Sequence, residues 1–105
     1  MKALLDIGNE RIRQVDEEGL TTDSDDQLYG GILAEMGAAY ALYASNYRGF
    51  CAGEETPSLA AYRKGKPDFW AGPDAYWKPK DPRRDLVRAA ALILAEIERI
   101  DRGVL

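Results

Sequence analysis

Carboxylates are the side chains of this sequence best suited to chemistry, since its 105 residues include 18 Asp and Glu, one Cys and no His. Without His, the commonest general base, the usual zinc ligand and every Ser–His or Cys–His nucleophile pair are excluded. Mg²⁺ needs only oxygen ligands, and its candidate ligands are Asp25, Asp26, Glu35 and Asp85, with Glu96 three turns after Asp85. We predict no catalytic residue and no cofactor, and Mg²⁺ belongs only to the alternative function given below.

Basic and aromatic residues form a second candidate site, for an anion. Residues 77–84 carry two Lys and two Arg beside Trp77, and they lead into the N-terminus of a predicted helix, where free N–H groups and the dipole attract anions. The predicted ligand- or partner-binding residues are Trp70, Tyr76, Trp77, Lys78, Lys80, Arg83 and Arg84, together with Asp25 and Asp26 of an acidic turn. In the alternative interpretation these bases only neutralise Asp85 and the acidic residues between positions 16 and 26.

The charge is unevenly distributed along the chain. Residues 1–47 carry three basic and nine acidic residues, whereas residues 48–105 carry eleven basic and nine acidic ones, which together give the net charge of −4. Such a dipolar distribution favours the steering of a charged partner. The net negative charge argues against general nucleic-acid binding.

Three main helices are predicted to position these residues. The first spans about Ala3–Glu18, the second begins at a capping box of Ser24 and Gln27 and continues to Tyr47, and the third begins with Asp81 and Pro82 and ends at Gly103. A loop of some 33 residues, rich in Gly, Pro and aromatics, precedes the third helix, and a short helix from Thr56-Pro57 to Lys64 is predicted within it.

Apolar spacing predicts which face of each helix is buried. In the first helix Leu5, Ile12 and Val15 share a face that we assign to the core, and in the second helix Glu35 lies at the rim of a broad apolar arc. The core stripe of the second helix is Tyr29, Leu33, Met36, Tyr40, Tyr43 and Tyr47. The third helix carries a heptad-like seam for another helix, inside the domain or across a homodimer: Leu86, Ala90, Ile93, Ile97, Ile100 and Val104.

These elements predict an all-α fold, a compact bundle of three main helices with a long aromatic and Pro-rich loop before the C-terminal helix. We expect residues 1–105 to form a single helical domain. No apolar run approaches the ~20 residues of a membrane span, and no signal peptide is recognisable. A lone Cys51 is typical of a reducing compartment. We therefore expect a cytoplasmic protein with no membrane partner.

The sequence resembles a family of small, mostly uncharacterised phage and prophage proteins. The resemblance lies in Glu10-Arg11-Ile12-Arg13-Gln14, Glu18-Gly19, Asp25-Asp26, Trp77-Lys78-Pro79, Arg84-Asp85-Leu86-Val87, Ala89-Ala90-Ala91 and Ala95-Glu96-Ile97-Glu98-Arg99. It implies a helical accessory protein encoded by a phage or prophage and acting in the bacterial host. We expect a non-enzymatic interaction protein that inhibits or modulates host machinery or host defence, as an anti-CRISPR protein does, by binding a host protein or an anionic nucleotide-like ligand.

A fainter likeness, to a family of enzymes, implies the alternative function. In helical character and in carboxylate content the sequence is similar to the MazG-type all-α nucleoside triphosphate pyrophosphohydrolases. That likeness implies a Mg²⁺-dependent nucleotide phosphohydrolase. A third hypothesis is a nucleotide-binding sponge without turnover.

Overall fold

The computed structural model describes residues 1–18, 31–46 and 57–103. They form helices α1 (Lys2–Glu18), α2 (Ile32–Ser45), α3 (Pro57–Lys64) and α4 (Pro82–Asp101), with a 3₁₀ turn at Asp74–Tyr76. No strand occurs in these ranges, which confirms the predicted all-α bundle of three main helices with a long loop before the last. Within the same ranges, no helix is both long enough and apolar enough to cross a membrane.

Helix α4 begins and ends where local sequence signals place its ends. The side chain of Asp81 accepts a hydrogen bond of 2.8 Å from the backbone N–H of Arg84, as an N-cap residue does, and Pro82 follows as the first helical residue. Gly103 has a φ of 80°, a conformation that favours glycine at a helix C-terminus. The predicted start and end of this helix are confirmed, as is the short helix α3 in the loop.

Helix α4 is central and contacts both other long helices. Helix α2 runs antiparallel to it, because Gly31 at one end of α2 contacts Glu96 and Tyr40 near the other end contacts Arg88. The two backbones approach closely at Gly37, where a Cβ atom would lie 2.9 Å from the carbonyl oxygen of Ala89. Glycine at this position therefore permits the close packing of α2 on α4.

The apolar core lies between α2, α4 and the loop. Its buried residues are Ile32, Leu33, Met36, Ala39, Tyr40, Trp70, Ala89, Leu92 and Ala95. The predicted burial of Leu33, Met36 and Tyr40 is confirmed, whereas Tyr29 and Tyr47 lie outside the described residues. Glu35 is exposed on α2, and Leu42 on the same helix is half-exposed.

The predicted core face of α1 is wrong. Leu5 is 63% exposed and Ile12 is 60% exposed, while Glu10 and Gln14 on the opposite face are buried. Periodicity identifies an apolar face without saying which way that face points. Here the polar face turns inward because α4 supplies charged partners for it, as the site geometry below shows.

The predicted seam of α4 does not close on α1 or α2. Leu86, Ile93, Ile97 and Ile100 are 42–50% exposed, and Val104 lies outside the described residues. The buried face of α4 is instead composed of small, aliphatic and charged residues, namely Asp85, Val87, Ala89, Ala91, Leu92, Ala95, Glu96 and Arg99.

Candidate functional site

The aromatic residues of the loop fold back over α2. The ring of Trp77 stacks on that of Tyr40 at 4.7 Å between centroids, and the buried Trp70 meets Tyr40 edge-on at 5.4 Å. The indole N–H groups donate to backbone carbonyls, that of Trp77 to Gly65 and that of Trp70 to Pro73. Trp70 and Trp77 therefore help to close the core, and their role in binding a ligand stays a prediction.

The hydroxyl of Tyr40 fixes the backbone just before α4. It donates to the carbonyl oxygen of Tyr76 and accepts a hydrogen bond of 2.8 Å from the N–H of Lys78. Burial, more than the neighbouring charges, raises the pKa of Tyr40 to about 12. The phenol therefore stays protonated at physiological pH and keeps both hydrogen bonds.

Asp85 is fully buried and joins three segments. It accepts a hydrogen bond of 2.5 Å from the hydroxyl of Tyr62 on α3 and one of 3.1 Å from the N–H of Lys80. Burial raises its pKa, and the bonds from Tyr62 and Lys80 oppose that effect. Because Asp85 has no exposed surface, we assign it to the positioning of α3 and the loop on α4.

The basic residues at the start of α4 face carboxylates of α1. Arg83 donates to Asp6 at 2.9 Å, Arg84 donates to Glu10, and the Lys78 ammonium group lies 3.3 Å from Glu18. Lys80 is exposed. The predicted acidic partners Asp25 and Asp26 lie outside the described residues. Three of the four predicted bases thus form ion pairs with α1, as in the neutralising interpretation; Glu18 is among the acids it named, whereas Asp6 and Glu10 are not.

Glu10 is the centre of the ionic contact between α1 and α4. Besides Arg84, it accepts two hydrogen bonds of 2.8 Å from Arg13 and one of 3.3 Å from Gln14. Burial alone would raise the pKa of Glu10, but the hydrogen bonds from Arg13 and the charges of Arg84, Arg13 and Arg88 hold it below its ordinary value. Glu10 is therefore ionised, and its oxygens accept hydrogen bonds from the surrounding guanidinium groups.

A second buried pair lies further along α4. Arg99 donates to Glu96 at 2.6 Å and 3.1 Å, and Glu96 also accepts from the backbone N–H of Gly31 at 3.1 Å. Hydrogen bonding from Arg99, opposed by burial, lowers the pKa of Glu96. Both side chains are buried, and Glu96 satisfies the backbone N–H at the start of α2.

The candidate Mg²⁺ ligands are not brought together in the described part of the chain. Glu35 is exposed on α2, whereas Asp85 is buried in α4 beside Tyr62. No group of three or more residues able to hold a metal ion occurs among the described residues. Asp25 and Asp26 fall in the range that the structure leaves undescribed, and so the constellation receives no geometric support.

Two aliphatic faces point outward. The sequence predicted the α1 face to lie in the core, and it left the α4 face open between the interior of the domain and a homodimer. We define the outer face of α1 as Met1, Leu4, Leu5 and Ile12, and the outer face of α4 as Leu86, Ala90, Ile93, Leu94, Ile97 and Ile100. Exposed aliphatic patches on soluble proteins mark contact surfaces. The polar residues opposite each aliphatic face are the sequence feature that could have predicted this exposure. Glu10 and Gln14 on α1 are complementary to Arg84 and Arg88 on α4, and a contact between these polar faces turns the aliphatic faces outward.

A smaller apolar surface involves the loop. Phe69 and Leu42, both close to half-exposed, line an open cavity of about 360 Å³ with Glu35, Ala38, Ala39 and Ala71. Phe69 is thus the loop aromatic that stays at the surface, while Trp70 beside it is buried.

Comparison with known proteins does not identify the chain. It matches no protein-family model, no curated protein and no solved structure. The resemblance to phage and prophage proteins therefore stays a prediction.

Proposed function

We propose that this chain is a non-enzymatic interaction protein of the phage accessory type, acting in the cytoplasm of a bacterial host. In this proposal it binds a host protein of the replication, expression or defence machinery through the outer face of α1. The observation that carries the proposal is the exposure of Leu4, Leu5 and Ile12, each at 60% or more. Contiguous apolar patches on the surface of a folded domain commonly mark sites of protein–protein interaction.

The inner face of α1 supports this assignment. Glu10 and Gln14 are buried against α4 and are held by Arg13 and Arg84. Turning α1 over to bury its aliphatic face would place Glu10 in water and leave Arg84 without its carboxylate. The ion pairs thus fix the orientation that keeps the aliphatic residues available to a partner.

The charges beside the outer face suggest the chemistry of the partner. Asp16 is exposed near the C-terminal end of α1, beside Ile12. A partner that presents an apolar groove with basic residues at one end would match this surface in both shape and charge. The excess of acidic residues in the first 47 positions would also speed its encounter with such a partner.

A capture experiment with quantitative mass spectrometry tests the proposal. The chain is immobilised, host lysate is passed over it, and captured proteins are compared with those of the Leu5→Glu, Ile12→Glu double variant. A matched control, Ala38→Glu with Leu42→Glu, places two acids on exposed positions of α2. We expect a defined protein to be retained by the wild type and the control and lost from the α1 variant.

Equal retention by all three chains would contradict the outer face of α1 as the contact surface. Circular dichroism and the unfolding temperature establish that each variant is folded, so that loss of binding is not loss of structure.

A nucleotide panel separates the proposal from the phosphohydrolase and the sponge. A ligand that binds the folded chain raises its unfolding temperature by mass action. We expect no nucleoside mono-, di- or triphosphate to do so, with or without Mg²⁺. Stabilisation that requires Mg²⁺ would instead favour the phosphohydrolase, and stabilisation without Mg²⁺ and without turnover would favour the sponge.

A further inference from the structure

The outer face of α4 carries a regular aliphatic pattern over most of its length. Leu86, Ala90, Ile93, Ile97 and Ile100 follow one another at spacings of four, three, four and three residues, as at the interface of paired helices. Four of them are 42–50% exposed and Ala90 is partly buried. Neither α1 nor α2 covers this face, although Ile93 touches α2 at Gly37.

We infer that the occupant of this face is a second copy of the chain, whose α4 packs against it in antiparallel orientation. The twofold axis passes through Ile93, and each outer face contacts the same surface of the other copy, as in an isologous dimer. This inference does not depend on the proposed host partner, which binds a different helix.

Charge at the two ends of the face selects both the partner and the orientation. Arg83 and Asp101 are eighteen residues apart, which is five full turns, so they lie on the same side of the helix. Both are exposed at the border of the outer face. Antiparallel pairing brings each Arg83 to the partner's Asp101, whereas parallel pairing would place like charges together.

Side-chain size agrees with the same register. With the axis at Ile93, Leu86 is level with the partner's Ile100, and the small Ala90 lies within one residue, about 1.5 Å along the helix, of the partner's Ile97. Alternation of small and large side chains lets two helices approach closely and interdigitate. None of the outer-face residues between Arg83 and Asp101 is charged, so the pairing buries no unpaired ion.

Sedimentation equilibrium measures the first consequence. We expect the wild-type chain of 11.7 kDa to have twice that mass at micromolar concentration. Ile97→Glu is expected to weaken dimerisation by at least about 100-fold, because two carboxylates would be buried at the interface. The matched control Leu42→Glu changes a side chain of equal exposure, 50%, on another surface and is expected to leave the dimer intact.

A wild-type chain that stays monomeric up to millimolar concentration would overturn the inference. Equal dimerisation constants for the Ile97→Glu and Leu42→Glu variants would also overturn it, because the interface would then lie elsewhere.

Charge exchange tests the orientation. In an antiparallel dimer, Arg83→Asp alone and Asp101→Arg alone each create two like-charge contacts, and we expect roughly three- to thirtyfold weaker dimers at low salt. Mixing the two variants restores opposite charges at both contacts, so native mass spectrometry should detect mainly the heterodimer. Since Arg83 also contacts Asp6 within its own chain, the weaker homodimer of Asp101→Arg alone decides the orientation, and the heterodimer shows that the two ends of the face meet in the dimer.

A parallel dimer would behave differently. Its single variants would be as tight as the wild type, and its heterodimer would be tighter than the wild type. That result would reject the antiparallel arrangement while leaving the proposed host contact on α1 unaffected.

Discussion

The two sides of α4 are packed by different physical means. Toward α2 the contact is apolar and close, with Leu33, Met36 and Leu92 buried and Gly37 against the backbone at Ala89. Toward α1 the contact is ionic, with Glu10 held between Arg13 and Arg84. Apolar burial stabilises by about 25 cal/mol for each Å² removed from water, whereas a buried ion pair recovers little more than its desolvation cost. The α2 side therefore supplies stability, and the α1 side supplies orientation.

The orientation of α1 determines which of its side chains are exposed. Because α1 uses its polar residues to contact α4, its aliphatic residues remain outside, where they are available to another protein. A helix pair with an apolar seam would have hidden Leu5 and Ile12 in the core. The ionic seam is thus the feature that links the fold to the proposed function.

The largest expected effect is on the apolar side. Leu33→Ala removes a fully buried side chain and leaves a cavity that the surrounding core fills only in part. We expect the free energy of unfolding in urea to fall by about 3–5 kcal/mol. A loss below about 1 kcal/mol would mean that α2 does not pack on α4 as described.

The ionic side is expected to respond non-additively. Arg84→Met leaves the buried Glu10 with one guanidinium partner fewer, at a cost of about 1–3 kcal/mol. The double variant Glu10→Met, Arg84→Met removes the buried charge as well and is expected to be more stable than Arg84→Met alone. Additive losses in this double-mutant cycle would show that the two side chains are not coupled.

Substitution of Gly37, with Gly8 as the control, tests the close approach of α2 to α4. Gly37→Ala places a methyl group 2.9 Å from the Ala89 carbonyl oxygen, and we expect a loss of about 1–3 kcal/mol. No atom lies within 4 Å of a Cβ added at Gly8 in α1, and Gly8→Ala is expected to gain about 0.5–1 kcal/mol. Equal effects at the two positions, measured by urea unfolding, would rule out close packing at Gly37.

The dependence of stability on pH distinguishes Glu10 from an exposed carboxylate. A carboxylate whose pKa is lowered by folding stabilises the folded chain above its unfolded pKa, here near 4.5, and that contribution is lost as the pH falls further. We therefore expect the stability advantage of the wild type over Glu10→Gln to shrink below about pH 4.5. Asp85 has the opposite effect but is common to both chains. An advantage that is independent of pH would contradict the ionic role of Glu10.

Local signals in the sequence identified the three main helices and both ends of α4, but not the orientation of the helices. They also misplaced the start of α2, which was predicted at Ser24 and lies at Ile32, after Gly31 in the left-handed conformation. Asp81 and Pro82 define the start of α4 because a cap needs only neighbouring residues, and the spacing of Leu33, Met36 and Tyr40 was enough to place them in the core. The burial of Glu10 was not predictable in this way, since its partner Arg84 is 74 residues distant. Periodicity gave the apolar face of α1 correctly and its direction incorrectly.

The candidate site was predicted less well for the same reason. The sequence predicted Trp70, Tyr76 and Trp77 as binding residues without showing which of them pack against a helix. Trp77 packs against α2 because the ring of Tyr40 stacks on it and the hydroxyl of Tyr40 binds the backbone of the loop. Phe69 and Trp70 are adjacent and equally apolar by pattern, yet only the structure shows which of them is buried.

The smallest expected effect tests the central claim, that the aliphatic face of α1 lies outside. Urea unfolding of Ile12→Glu, compared with the wild type at the same concentration, measures it directly. We expect the free energy of unfolding to change by no more than about 0.5 kcal/mol, as for a substitution at an exposed site. A loss of about 3 kcal/mol or more, comparable to that of Leu33→Ala, would place Ile12 in the core and contradict the account.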